Sequence, residues 1–151
     1  MIISQHIKRL SKLCIFILLI YGCAKDNEIN IVAETLFTKL DAQQTNVTFS
    51  NNLIETDSLN YFTYTSIYMG GGISVGDINN DGLQDLFFTG NQVENKLYLN
   101  KGELTFEDIS TKSNIQGDDR WYTGTTMVDI NNDGFLDIYC SVAGKSGNKK
   151  G

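Results

Sequence analysis

The hexapeptide Asp77-Ile78-Asn79-Asn80-Asp81-Gly82 recurs letter for letter as Asp129-Ile130-Asn131-Asn132-Asp133-Gly134, and each copy is completed at the same offset by a further aspartate, Asp85 and Asp137. Oxygen-bearing side chains at positions 1, 3, 5 and 9 of a short loop, with glycine at position 6, are what a hard divalent cation needs. Ca²⁺ takes six to eight oxygens at about 2.3–2.6 Å from a tightly curled backbone, and the glycine permits the positive φ of the curl. The expected ligands are Asp77, Asn79, Asp81 and Asp85 with the carbonyl of Leu83, then Asp129, Asn131, Asp133 and Asp137 with the carbonyl of Phe135. Three carboxylates so close repel one another, so ion binding and loop folding are expected to be coupled.

Two other readings compete. Asn-Asn-Asp-Gly is a good tight turn, but a turn does not need aspartates at positions 1, 5 and 9 of both copies. An EF-hand shares the opening spacing but requires a bidentate Glu at position 12 and flanking helices. Position 12 is Phe88 in one copy and Cys140 in the other, and the flanks Ile73-Ser74-Val75, Leu86-Phe87-Phe88-Thr89 and Ile138-Tyr139-Cys140-Ser141-Val142 read as strands.

The amino terminus reads as a removable segment. Lys8, Arg9 and Lys12 form a positive region, Leu13 to Ile20 is unbroken apolar sequence, and Tyr21-Gly22 precede Cys23, the layout of a secretory signal. The apolar run is too short to span a bilayer, which takes about 20 residues. Ile20-Tyr21-Gly22-Cys23 resembles the bacterial lipobox, which implies a mature chain starting at a lipidated Cys23 and anchored in a membrane. An ordinary signal peptide with an incidental cysteine is the plainer alternative. Lys25-Asp26-Asn27-Glu28 resembles the export signals of surface lipoproteins, or is simply a solvated tether. The expected location is the bacterial cell envelope, as an outer-membrane lipoprotein exposed at the surface.

Residues 1–22 hold three of the twelve Lys and Arg and none of the eighteen Asp and Glu, so the mature chain carries 9 minus 18, or minus nine. An acidic chain without a basic stripe is a poor partner for nucleic acid. Of the three cysteines, Cys14 leaves with the signal and Cys23 is the lipid site, so Cys140 has no disulfide partner within the chain and reads as a small buried hydrophobe. The only histidine, His6, also leaves, which excludes Ser-His and Cys-His catalysis.

The organisation expected is a signal at 1–22, a tether at 23–33, a lead-in at 34–68 and repeats at 69–151. In the lead-in, Leu36, Phe37 and Leu40 stand at helical spacing and Val47-Thr48-Phe49 reads as a short strand. The loops start 129 minus 77, or 52, residues apart. That interval divides into four strands, at Ile73 to Val75, Leu86 to Thr89, Lys96 to Asn100 and Leu104 to Ile109. A period near 50 with four short strands is the mark of a β-propeller blade. Gly124 precedes Asp129 as Gly72 precedes Asp77, and Trp121 and Tyr122 read as core rings.

Residues 70–82, then Asn95-Lys96-Leu97-Tyr98-Leu99-Asn100-Lys101-Gly102, then Phe106-Glu107-Asp108-Ile109, resemble the FG-GAP/VCBS repeat proteins. More narrowly they are similar to the lipoprotein branch of the ASPIC/UnbV, or cartilage acidic protein-like, family. The resemblance implies an all-β fold: a partial β-propeller of about one and a half four-stranded antiparallel blades with calcium loops between strands. Propellers close with four to eight blades, so the chain reads as an amino-terminal fragment whose remaining blades lie elsewhere. Its second blade is incomplete, because Gly151 corresponds to Leu99.

The leading function is a calcium-binding, lipid-anchored scaffold for adhesion to an extracellular protein or glycan, without catalytic activity. One alternative is an enzyme or enzyme accessory acting on polysaccharide, with Asp118-Asp119 or Glu107-Asp108 as acid and base. Glycosidases, however, set two carboxyls across the sugar. The other is a structural spacer for a domain that follows.

Overall fold

In the computed structural model, the described residues are 36 to 142. The signal, Cys23, the tether and the segment after Val142 lie outside them. The chain divides into two compact units, Met1–Thr38 and Lys39–Gly151, and among the described residues the strands lie in the second. Among the described residues no helix is long and apolar enough to cross a membrane.

The first sheet runs β1 (Ile73–Gly76), β2 (Asp85–Phe88), β3 (Lys96–Asn100) and β4 (Phe106–Asp108), in that spatial order and antiparallel throughout. The second pairs β5 (Tyr122–Val128) with β6 (Asp137–Val142), with a register irregularity between Tyr122 and Gly124. Alternation sets the faces, since successive side chains of a strand point opposite ways. In β1, Ser74 and Gly76 are buried while Ile73 and Val75 are exposed. Opposite Ser74 stands Phe87, itself opposite Leu97. Phe87 and Leu97 are buried on this face and Tyr98 on the other face of β3; with Trp121, Tyr122 and Ile67 they make up the main core.

β1 packs against β5, and glycine permits the approach. A Cβ on Gly72 would stand 2.7 Å from Gly124 Cα and 2.6 Å from the backbone nitrogen of Thr125. A Cβ on Gly76 would stand 2.9 Å from Met127 Sδ. Between these points Ser74 and Thr125 bring their hydroxyls to 3.3 Å. The face of the first sheet that bears Ser74 and Phe87 is thus covered by the face of the second that bears Thr125, Met127 and Cys140.

The lead-in differs from the sequence expectation. Residues 36–40 form no helix; α1 (Ala42–Thr45) is a single turn starting after them. Asp41 accepts from the N–H groups of Gln43 and Gln44 while Gln44 Oε1 accepts from Asp41 N. This capping box outweighs the apolar spacing that pointed to residues 36–40. Nor is Val47-Thr48-Phe49 a strand. It is held by side chains instead, with Phe49 stacked on Phe88 at 4.9 Å and Thr48 N donating to the Tyr98 hydroxyl.

Candidate metal centre

Both loops fold alike, residue for residue. Position 4 takes the left-handed region, with Asn80 and Asn132 each at φ 59°, and position 6 follows with Gly82 at 86° and Gly134 at 88°. The first aspartate chelates the loop's own backbone. Asp77 Oδ1 accepts from Asp81 N and Oδ2 from Gly82 N, at 3.0 and 2.7 Å; Asp129 does the same at 3.1 and 2.9 Å. Asn79 Oδ1 accepts from Asp81 N and its amide donates to Asp81 Oδ2, a pattern copied by Asn131 and Asp133. Asp81 Oδ1 accepts from Leu83 N, and Asp133 Oδ1 from Phe135 N. The Asn79 amide and the Leu83 N–H hold the Asp81 carboxyl below the usual carboxylate range.

Position 9 distinguishes the copies. Asp85 is fully buried and accepts from Ile78 N at 2.9 Å and Asn100 N at 2.8 Å, tying the loop to β3. Asp137 is half-buried and keeps the first of these bonds, from Ile130 N at 3.1 Å.

In each loop, then, one turn brings together the residues singled out in sequence. Among the described residues, no group of three or more His, Cys, Asp or Glu side chains is gathered as a ready-made metal cage; the carboxylates stand turned to the N–H groups of their own loop. The donor chemistry nevertheless fits a hard cation. An ionised carboxylate offers about four lone-pair sites, and Asp77, Asp81 and Asp85 each use two. What remains is oxygen only, from three carboxylates, one amide and the carbonyl at position 7, in keeping with Ca²⁺ and not with the nitrogen and sulfur preferences of zinc.

The acidic pairs considered for catalysis are placed otherwise. Both oxygens of Asp118 lie 2.8 Å from Arg120 Nε, and Oδ1 also accepts from the Tyr122 hydroxyl. The Arg120 guanidinium holds its carboxyl well below the usual range, the opposite of what a general acid requires. Asp108 accepts from Lys96 and Ser110. Cys140 is half-buried with its thiol 3.9 Å from Thr125 Oγ1, and burial pushes the thiol up, away from nucleophilic use.

Asn91 was not singled out in sequence. It is fully buried, donates to the carbonyls of Tyr122 and Gly70 and exchanges bonds with Asn51, so it joins the lead-in and the two sheets. A lone asparagine after glycine carries no signal of such a role.

Comparison with known proteins adds family membership to this geometry. A family model described as FG-GAP-like repeat matches residues 55–140. The chain belongs to the FG-GAP-like repeat family. Its open sheets are a partial β-propeller, with one complete four-stranded blade and the first two strands of a second. The repeat is similar to cartilage acidic protein 1 of Xenopus tropicalis, 38% identical over 72 residues, which covers 47% of this chain and 11% of that protein. It is likewise similar to cartilage acidic protein 1 of Homo sapiens, 34% identical over 74 residues, or 48% of this chain and 11% of the relative. These matches support the narrower resemblance to the cartilage acidic protein-like branch. The chain thus spans a small part of the length of these relatives. No solved structure matches it significantly.

Proposed function

We propose that this FG-GAP-like repeat chain is a calcium-stabilised binding scaffold, carried on the bacterial envelope by a lipid at Cys23 and presenting its loops to an extracellular protein or glycan. One observation carries the calcium part: two loops 52 residues apart adopt the same conformation with the same hydrogen bonds at positions 1, 3 and 5, and their side-chain ligand atoms are all oxygen. Asp77, Asn79, Asp81, Asp85 and the Leu83 carbonyl would hold one ion, and Asp129, Asn131, Asp133, Asp137 and the Phe135 carbonyl the other. The ion would supply charge neutralisation and rigidity; this chain's own part is to curl the backbone and present acceptors. Family membership supports the scaffold role, and the engagement of Asp118 with Arg120 speaks against acid–base catalysis. Further repeats of the same type are proposed partners of the second sheet.

Titrating Ca²⁺ into the chain tests this reading. A ligand that binds only the folded state stabilises it by RT ln(1 + [L]/Kd), so the unfolding temperature should rise with Ca²⁺, and the double change Asp81→Ala with Asp133→Ala should remove the rise. A folded sample indifferent to millimolar Ca²⁺ overturns it. For the anchor, Cys23→Ser should abolish labelling by a radioactive fatty acid.

A further inference from the structure

The segment leading into β1 carries three exposed aromatic rings, Phe62 at 93%, Tyr68 at 62% and Tyr61 at 52%. Packing between repeats does not account for them. Fifty-two residues on, in the connection between the two sheets, their positions hold Ser113, Asn114 and Arg120, all exposed with both sheets in place around them. The exposed Ile54 and Met69 are different, because their counterparts Phe106 and Trp121 are buried. Those two are packing positions of the repeat and belong to no surface site. Positions 61, 62 and 68 need no ring for the fold, yet each has one.

The three rings are held in place from below. Tyr61 stacks on Tyr68 with centroids 6.4 Å apart and planes 19° from parallel, and Phe62 meets Tyr61 edge-on at 6.1 Å. The Tyr68 hydroxyl donates to the Glu55 carboxylate. One side chain ties the loop: Asn60 Oδ1 accepts from Phe62 N at 2.9 Å, and its amide donates to the carbonyls of Thr56 and Asp57 at 3.1 Å each. Ile67, fully buried, roots the segment in the core. A surface ordered before its ligand arrives gives up little side-chain freedom on binding.

We propose that Tyr61, Phe62 and Tyr68 form a platform for an uncharged polysaccharide, whose sugar rings lay their C–H faces on the aromatic rings while a sugar hydroxyl donates to Glu55. The proposal names a site and a ligand class within the scaffold role above, and rests on that role. Glu55 has acceptor capacity left, since an ionised carboxylate offers about four lone-pair sites. Size and charge select the ligand. Aromatic side chains bury about 150–250 Å² each, so three partly exposed rings offer on the order of 400 Å². That is short of the roughly 800 Å² per partner of a stable protein interface, and suits a short run of sugar units. The charged residues between positions 55 and 69 are Glu55 and Asp57, both of which repel uronate, sulfate and phosphate groups.

Affinity electrophoresis of the 151-residue chain with Ca²⁺ present, through gels containing laminarin, galactomannan, dextran sulfate or gelatin, tests this. The wild type should be retarded by at least one of the two neutral polysaccharides and by neither dextran sulfate nor gelatin. Phe62→Ala should weaken that retardation, and Tyr61→Ala with Phe62→Ala should raise the dissociation constant about tenfold or more. Tyr68→Phe keeps the ring and loses only its tie to Glu55, so its loss should be smaller. Leu104→Ala, at an exposed apolar position on another turn, should run as wild type. Circular dichroism checks that each variant folds. Polysaccharide binding that survives intact in the double variant overturns the platform while the scaffold role stands. Retardation by gelatin that the double variant loses puts a protein on the rings and overturns the choice of ligand. A wild type retarded by neither neutral polysaccharide overturns the proposal, whereas the calcium part of the scaffold reading is decided separately by the unfolding titration.

Discussion

The side-chain amide of Asn80, in the first aspartate-rich loop, donates to the carbonyl oxygen of Gly134, in the second, across 2.9 Å. The two loops are thus in direct contact as well as alike. Asn80 can make this bond because its own backbone sits in the left-handed region at φ 59°, a conformation asparagine tolerates better than most residues. Asn80→Ala should lower stability by about 1 kcal/mol, combining one exposed hydrogen bond with a less tolerated φ. The midpoint of urea unfolding measures it.

Asp85 and Asp137 share a sequence position but not a load. Asp85→Ala leaves the half-buried N–H groups of Ile78 and Asn100 without their acceptor, a loss of about 2–3 kcal/mol for bonds to a charged group. Asp137→Ala gives up the bond from Ile130 N, which is exposed, at about 1 kcal/mol. Equal effects in urea unfolding without added metal would contradict the assignment of Asp85 as the link between loop and β3.

Two glycines should fail in different ways. In Gly72→Ala the new Cβ meets backbone at 2.6 Å on β5, so the sheets must part, at about 2–3 kcal/mol. In Gly82→Ala nothing lies within 4 Å, but φ is 86°, and the cost is the local one of about 1 kcal/mol for an L side chain in that region. Near-ultraviolet circular dichroism from Trp121, the buried residue just before β5, should change in the first variant and not in the second.

Acidification should weaken the contact of Asp118 with Arg120 and Tyr122. The folded carboxyl titrates below its unfolded value because the Arg120 guanidinium stabilises its charge. A depressed pKa contributes stability that is present above the unfolded value, about 3.9, and is lost as pH falls through the folded one. Asp118 is solvent-exposed, so the effect is small and screened by salt. Asp118→Asn should reduce stability slightly at pH 7, and its gap from wild type should narrow as pH falls below about 3.9; a gap that widens on acidification would show that the carboxylate is not the stabilising form.

The sheets were legible because their signals are local. Lys96 to Asn100 was read as a strand with the bounds that β3 has, and the loops were marked by aspartates whose side chains bind backbone within nine residues. The lead-in was misread for the opposite reason. Leu36, Phe37 and Leu40 have helical spacing, but a helix in a folded domain draws its stability mostly from packing of its apolar face, and the Asp41–Gln44 capping box starts the turn later. Phe49 is fixed by a ring 39 residues away and Asn91 by carbonyls from two separate segments. Neither partner can be found from neighbours in sequence. Membership of a propeller family came from the period; the pairing of faces needed coordinates.

The closest approach of the two sheets runs through Gly72 and Gly124, backbone against backbone. A junction of that kind holds almost no side-chain code. At that point a duplicated cassette of one period needs few compensating changes beside its parent, because what it must match there is the curve of a main chain. Lengthening by whole units is therefore the easiest alteration for such a gene, and the outward loops of each new unit are free to diverge while the joint stays the same.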